Sequence, residues 1–137
     1  MLITREADYA LRMLRTISGG GHFTVGEICK RELLPQQFVY KILKKMEHAG
    51  LVKITRGALG GCVLTGDLKR TSLYDLINIL DAERAIGSCL KDGYECEWKK
   101  NNAAPCTVHA ELRRIQDSLD AELRDCSLSK LIFGDAP

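Results

Sequence analysis

The chain has 137 residues, 45% of them hydrophobic, and a formal net charge of +2. That is enough apolar material for one or two small packed domains, and it excludes a disordered or low-complexity chain. The first residues carry neither the basic stretch nor the apolar run of a signal peptide, and no apolar stretch is long enough to span a bilayer, so a cytoplasmic protein with no membrane partner is expected.

Charge is unevenly spread. Residues 1–70 hold twelve Lys/Arg against six Asp/Glu, whereas residues 71–137 hold eight against twelve. A basic front half suits a polyanion, because Lys and Arg displace condensed counterions from phosphate. Six cysteines stand at 29, 62, 89, 96, 106 and 126. In a reducing compartment they point away from disulfides and toward metal or redox chemistry.

Residues 4–18 read as a helix: Thr4 is an N-cap, and Ala7, Leu11, Leu14 and Ile17 recur at helical spacing until Ser18-Gly19-Gly20-Gly21 breaks the pattern. Thr24 and Glu27 form a capping-box signature, opening a short helix to about Arg31 with Val25, Ile28 and Cys29 partly inward. Leu33-Leu34 makes the turn. Pro35 suits the first position of a third helix, held to a core by Phe38, Val39, Ile42, Leu43 and Met46 and stopped at Gly50. Its outer face carries Gln37, Tyr40, Lys41 and Lys44, with Gln36 at the exposed start. Leu51–Thr55 and Cys62–Thr65 then read as two short strands around the glycine-rich tip Arg56–Gly61.

Helix, turn, helix and hairpin wing make a winged helix-turn-helix, and the fold class expected is mainly α. In that architecture the third helix brings amides and cations to base edges in the major groove, while Arg56 of the wing reaches the backbone or the minor groove. The expected DNA contacts are Gln36, Gln37, Tyr40, Lys41 and Lys44, with Arg56, Gly57, Gly60 and Gly61 of the wing. The rival reading is a three-helix pack with no DNA role.

Ser72 and Asp75 form a second capping box, opening a helix with an apolar stripe of Leu73, Leu76, Ile77 and Leu80. From Ile86 to Pro105 the periodicity vanishes, and a loop of that length in a small protein is commonly functional. Beyond it Val108, Leu112, Ile115, Leu119, Leu123 and Cys126 form one stripe on a charged helix. A helix this long on a short chain is expected to cross its twin in a two-fold homodimer, matching a pseudo-palindromic operator. The alternative is that it folds back on its own domain.

The loop and the next helical turn supply Cys89, Cys96, Cys106 and His109. Thiolates are soft ligands that suit iron–sulfur clusters and zinc, and imidazole serves both. The spacing matches neither a compact zinc finger nor a ferredoxin run. His109 lies three residues after Cys106 and so near the same helix face, although an ordinary surface histidine is the plainer reading. Cys29, Cys62 and Cys126 read as small core residues. The chain has no Cys-x-x-Cys pair, phosphate loop, nucleophile elbow or paired-carboxylate motif, so an enzyme is not expected.

With these residues in view the chain resembles the Rrf2 family of bacterial transcription regulators over nearly its full length. The resemblance rests on Asp8-Tyr9-Ala10-Leu11-Arg12, Gly50-Leu51-Val52, Arg56-Gly57-x-x-Gly60-Gly61, the three-cysteine loop and Leu128-x-x-Leu131. It implies a homodimer with winged-helix heads, a long crossing helix and an iron–sulfur cluster on Cys89, Cys96 and Cys106. It leaves the fourth ligand open between His109, which goes with a 2Fe-2S cluster and is favoured, and Asp8, which would reach a 4Fe-4S cluster from the partner subunit. Expected divisions are a reading domain at 1–67, a linking helix at 68–85, a cluster loop at 86–106 and a dimerisation helix with C-terminal segment at 107–137. The function implied is a DNA-binding regulator that senses iron, redox state or nitric oxide. Two rivals stand beside it: a zinc-bound or cluster-free thiol-responsive regulator, and an iron–sulfur carrier protein.

Overall fold

A computed structural model describes residues 2–58 and 60–135. Seven helices and one hairpin follow in chain order: α1 (Arg5–Ile17), α2 (Val25–Glu32), α3 (Gln36–His48), β1 (Val52–Thr55), β2 (Gly61–Leu64), α4 (Leu73–Ile79), α5 (Glu97–Asn101), α6 (Thr107–Asp125) and α7 (Leu128–Phe133). A single 3-10 turn, Ser88–Leu90, precedes α5.

The first three helices start where local chemistry directs. The Thr4 side chain accepts the Ala7 amide, and Thr24 and Glu27 satisfy one another's backbone donors in a complete capping box. Pro35 is the N-cap of α3 and not its first residue; its missing N–H costs nothing at either position. Ala10, Leu14, Ile17, Ile28, Val39, Ile42, Leu43 and Met46 close a buried core between α1, α2 and α3. An ion pair and a hydrogen bond join α1 to α2: Glu32 of α2 takes the Arg15 guanidinium at 2.5 Å and accepts from the Thr16 hydroxyl at 2.8 Å.

The wing is an antiparallel pair with Val52 opposite Leu64 and Thr55 opposite Gly61. Phe23, ahead of α2, extends it by bridging Cys62 through two backbone hydrogen bonds of 3.0 and 2.7 Å. That crossing explains Gly61: a Cβ there would overlap the Phe23 carbonyl oxygen. Cys62 is fully buried, and burial pushes its thiol up to about 11. Leu59 at the hairpin tip lies outside the described residues.

The C-terminal half departs from one expectation. Burial along the apolar stripe of α6 is uneven within the single chain. Leu123 is buried and Leu119 half-buried against the chain's own core, while Val108 and Ile115 are 65% and 44% exposed. The helix also ends at Asp125, and the chain turns back: the Leu73 amide donates to Cys126 and the Leu128 amide to Thr71, which carries the fully buried Leu128 into the core beside α1. Residues 86–106 are not structureless either, since the 3-10 turn and α5 punctuate them.

No helix among the described residues is long and apolar enough to cross a membrane.

Candidate nucleic-acid interface and thiol segment

The exposed side of α3 presents Gln36, Gln37, Tyr40, Lys41 and Lys44, all open to solvent, as its amphipathic pattern requires. Between α3, the start of α2 and the wing lies a groove of about 620 Å³, lined by Thr24, Tyr40, Lys44, Glu47, Thr55, Arg56, Gly57, Gly60 and Gly61 among others. Six of the nine expected DNA contacts meet there. Pro35, Gln36, Gln37 and Tyr40 line a second, shallow depression. Gly57 adopts φ +106°, a left-handed conformation that glycine takes without strain, and the Gly57 carbonyl accepts the Gly60 amide at 2.9 Å to close the tip.

The cations of this face are not equivalent. Lys41 is held by Glu6 of α1 at 2.5 Å, and Lys45 on the inner side takes the other Glu6 oxygen at 3.0 Å. The Lys41 hydrogen bond, aided by Lys45, keeps the Glu6 carboxyl below its ordinary range. Lys44 and Arg56, by contrast, pair with no carboxylate among the described residues, which leaves their charge available to phosphate. Sequence patterning had no means of seeing this distinction, because Glu6 lies 35 residues from Lys41.

The thiol segment starts at a well-made anchor. Gln116 of α6, 4% exposed, accepts the Ile86 amide at 2.8 Å and donates to the Arg84 carbonyl at 3.1 Å and to Asp120 at 2.9 Å. Tyr74 of α4 lies against two guanidiniums, Arg84 at 4.1 Å and Arg124 at 4.0 Å from the ring centroid. None of these four residues stood out in the sequence. A buried glutamine on a helix of otherwise charged residues carries no local signature.

Beyond the anchor, Cys89 sits in the 3-10 turn, Cys96 is the N-cap of α5 and Cys106 the N-cap of α6. All three thiols are free and half-buried. The Cys106 Sγ accepts the His109 amide at 3.4 Å, so that cysteine and that histidine share the first turn of α6. The set is not gathered: among the described residues, no group of three or more His, Cys, Asp or Glu side chains is placed to hold one metal ion. Asp8 lies on α1, paired with Arg12 at 3.2 Å, and joins no such group. The donor types suit a soft metal or a cluster; their placement in the single chain does not yet form a site.

Comparison with known proteins agrees with the reading head. The model of the Rrf2 family, described as "Iron-dependent Transcriptional regulator", matches residues 3–134. The chain is 26% identical over 136 residues to the HTH-type transcriptional repressor NsrR of Streptomyces coelicolor, covering 96% of this chain and 88% of the relative. It is 23% identical over 135 residues to the HTH-type transcriptional regulator IscR of Escherichia coli, covering 96% and 80%. In fold it is similar to the oxidized form of Staphylococcus aureus CymR, with a TM-score of 0.71 at 20% identity over 100% of this chain and 98% of that one. A winged head with its cations on one groove, in a chain matched almost end to end, leaves one assignment: this protein belongs to the Rrf2 family and is a DNA-binding transcription regulator, not an enzyme.

Proposed function

We propose that the protein binds a pseudo-palindromic operator as a homodimer, each copy laying α3 in the major groove of one half-site with Arg56 of the wing on the backbone. The observation that carries this reading is the meeting of Tyr40, Lys44 and Arg56 in one groove beside the Gln36–Gln37 amide pair. Val108 and Ile115, the part of the α6 stripe that its own chain leaves uncovered, supply the apolar seam for the second copy.

The signal enters at residues 86–106. Cys89, Cys96 and Cys106, with His109 or Asp8 as fourth ligand, are the donors for an iron–sulfur cluster, 2Fe-2S if His109 serves. When bound, such a cluster supplies a centre sensitive to iron supply, redox state and nitric oxide. The chain's own part is to close three separated thiols on one point while Gln116 holds the base of the segment. Regulation follows only if the loop states differ in how they suit the DNA-competent arrangement.

A second reading is favoured by the separation of the thiols: a cluster-free regulator switched by oxidation of these half-exposed cysteines. Oxygen-free purification with an absorbance spectrum and iron and sulfide analysis separates the two. Colour with stoichiometric iron and sulfide, lost in a Cys89→Ala variant, supports the cluster. A colourless, iron-free protein whose DNA affinity still changes on mild oxidation supports the thiol switch. Zinc would be colourless but detected by metal analysis, and a carrier protein would be coloured without a preferred DNA site.

A further inference from the structure

On the DNA-facing side of α3, Tyr40, Lys44 and Glu47 follow at i, i+4 and i+7, and all three line the groove beside the wing. Glu47 is the only carboxylate among the described lining residues, in a wall otherwise made of Lys44, Arg56, hydroxyls, apolar side chains and backbone. Its Oε2 accepts the Ile54 amide of β1 at 2.8 Å. Among the described residues it pairs with no cation, so its charge stands uncompensated.

A negative charge here opposes what a phosphate-binding groove needs. Like charges about 4 Å apart repel enough to cost roughly fivefold in affinity even at the dielectric of water. The carboxylate cannot swing clear without giving up the Ile54 bond, which also ties the wing to α3. We propose that Glu47 is a specificity-determining residue: a fixed negative charge that penalises phosphate lodged in the α3–wing groove at arbitrary sequence. On non-operator DNA, Lys44 and Arg56 draw the backbone into the groove in any register, and Glu47 counts against each. On the operator, base contacts from Gln36, Gln37 and Tyr40 select a register that keeps the backbone on Arg56 and clear of Glu47. Discrimination of this kind comes from a repulsive element and not from an added attraction.

The inference rests on the DNA-reading assignment of α3 and the wing, and the test separates the two. The full-length protein first selects a preferred duplex from a random pool. Wild type, E47Q and E47A are then titrated with that duplex and with a scrambled duplex of equal length. E47Q keeps an oxygen for the Ile54 amide and removes only the charge. It is expected to bind the scrambled duplex roughly fivefold more tightly and the selected one within about twofold of wild type, so that discrimination falls. E47A also loses the acceptor for Ile54 and is expected to bind the selected duplex more weakly. An unchanged ratio between the duplexes in E47Q, with wild type still selecting a sequence, overturns the role of Glu47 alone. A wild type that selects no sequence overturns the DNA-reading assignment together with this inference.

Discussion

The Lys45 ammonium donates to the Leu80 carbonyl oxygen at 3.1 Å, so a charged hydrogen bond ties α3 to the end of α4. The same ammonium reaches Glu6 at 3.0 Å, and Glu6 in turn holds Lys41. Leu80 is followed by Asp81 in a left-handed conformation, φ +54°, where the chain leaves α4 for the thiol segment. The end of α4 and the inner face of α3 therefore share one polar junction.

That junction makes stability depend on acid. Glu6 is held below its ordinary value of 4.5, chiefly by its hydrogen bond from Lys41, and Glu32 likewise by Arg15 and Thr16. A carboxylate whose folded value is depressed contributes stability that is complete above its unfolded value and lost as pH falls through the folded one. The thermal midpoint should be level above about pH 5 and fall steadily below it. Glu6→Gln and Glu32→Gln should each lower the neutral midpoint and flatten the acid slope. Slopes equal to wild type would show that these pairs are not responsible.

Leu33 closes α2 at φ +56° with its side chain 84% exposed. A left-handed conformation costs a non-glycine residue roughly 1–2 kcal/mol, and little burial offsets it here. Leu33→Gly should raise stability by about 1 kcal/mol in denaturant titration, after the added freedom of glycine in the unfolded chain is subtracted. A loss of stability would mean that Leu33 has a contact this conformation serves.

What the sequence made legible was local. Both capping boxes, at Thr24–Glu27 and Ser72–Asp75, form as read because their partners lie within one turn. The hairpin follows from its glycines, and the buried positions of α3 from a period that only one face satisfies. What the sequence did not carry all involves distant partners. Periodicity identified the stripe on α6 but not what each residue of it meets, so Leu123 and Ile115 looked alike although one is buried by the chain and the other is not. The pairing of Lys41 with Glu6 leaves no local trace, because its partner lies on another helix. The loop cysteines were legible as ligand types, whereas their separation is set by α5 and the 3-10 turn, both too short to leave a periodic trace.

Gln116 offers a clean perturbation of the loop base. Gln116→Leu keeps the volume but leaves the Ile86 amide without its acceptor, a loss of about 1–3 kcal/mol when the group stays buried. Hydrogen exchange at residues 84–90 should accelerate about tenfold or more, corresponding to a local loss above 1.4 kcal/mol, while α1–α3 change little. Uniform acceleration across the chain would assign Gln116 to global stability instead.

The uncovered seam on α6 gives a test of assembly. Ile115→Glu places a charge on an already exposed position, so the monomer should fold as before. Light scattering should then report a dimer for wild type and a monomer for the variant, with affinity for a two-half-site duplex reduced at least tenfold because the second head is no longer tethered. A variant that remains dimeric would place the interface elsewhere.

If the state of the 86–106 segment sets the affinity of α3 for DNA, one titration reveals it. The protein, purified without oxygen, is divided. One portion is kept as isolated, and the other has its metal chelated and its thiols oxidised under mild conditions. Both are titrated with the duplex that the protein itself selects. The two affinities should differ at least fivefold, within the usual range of coupling between two sites, and the difference should disappear when Cys89, Cys96 and Cys106 are all replaced by Ala. Equal affinities in the two portions would contradict it.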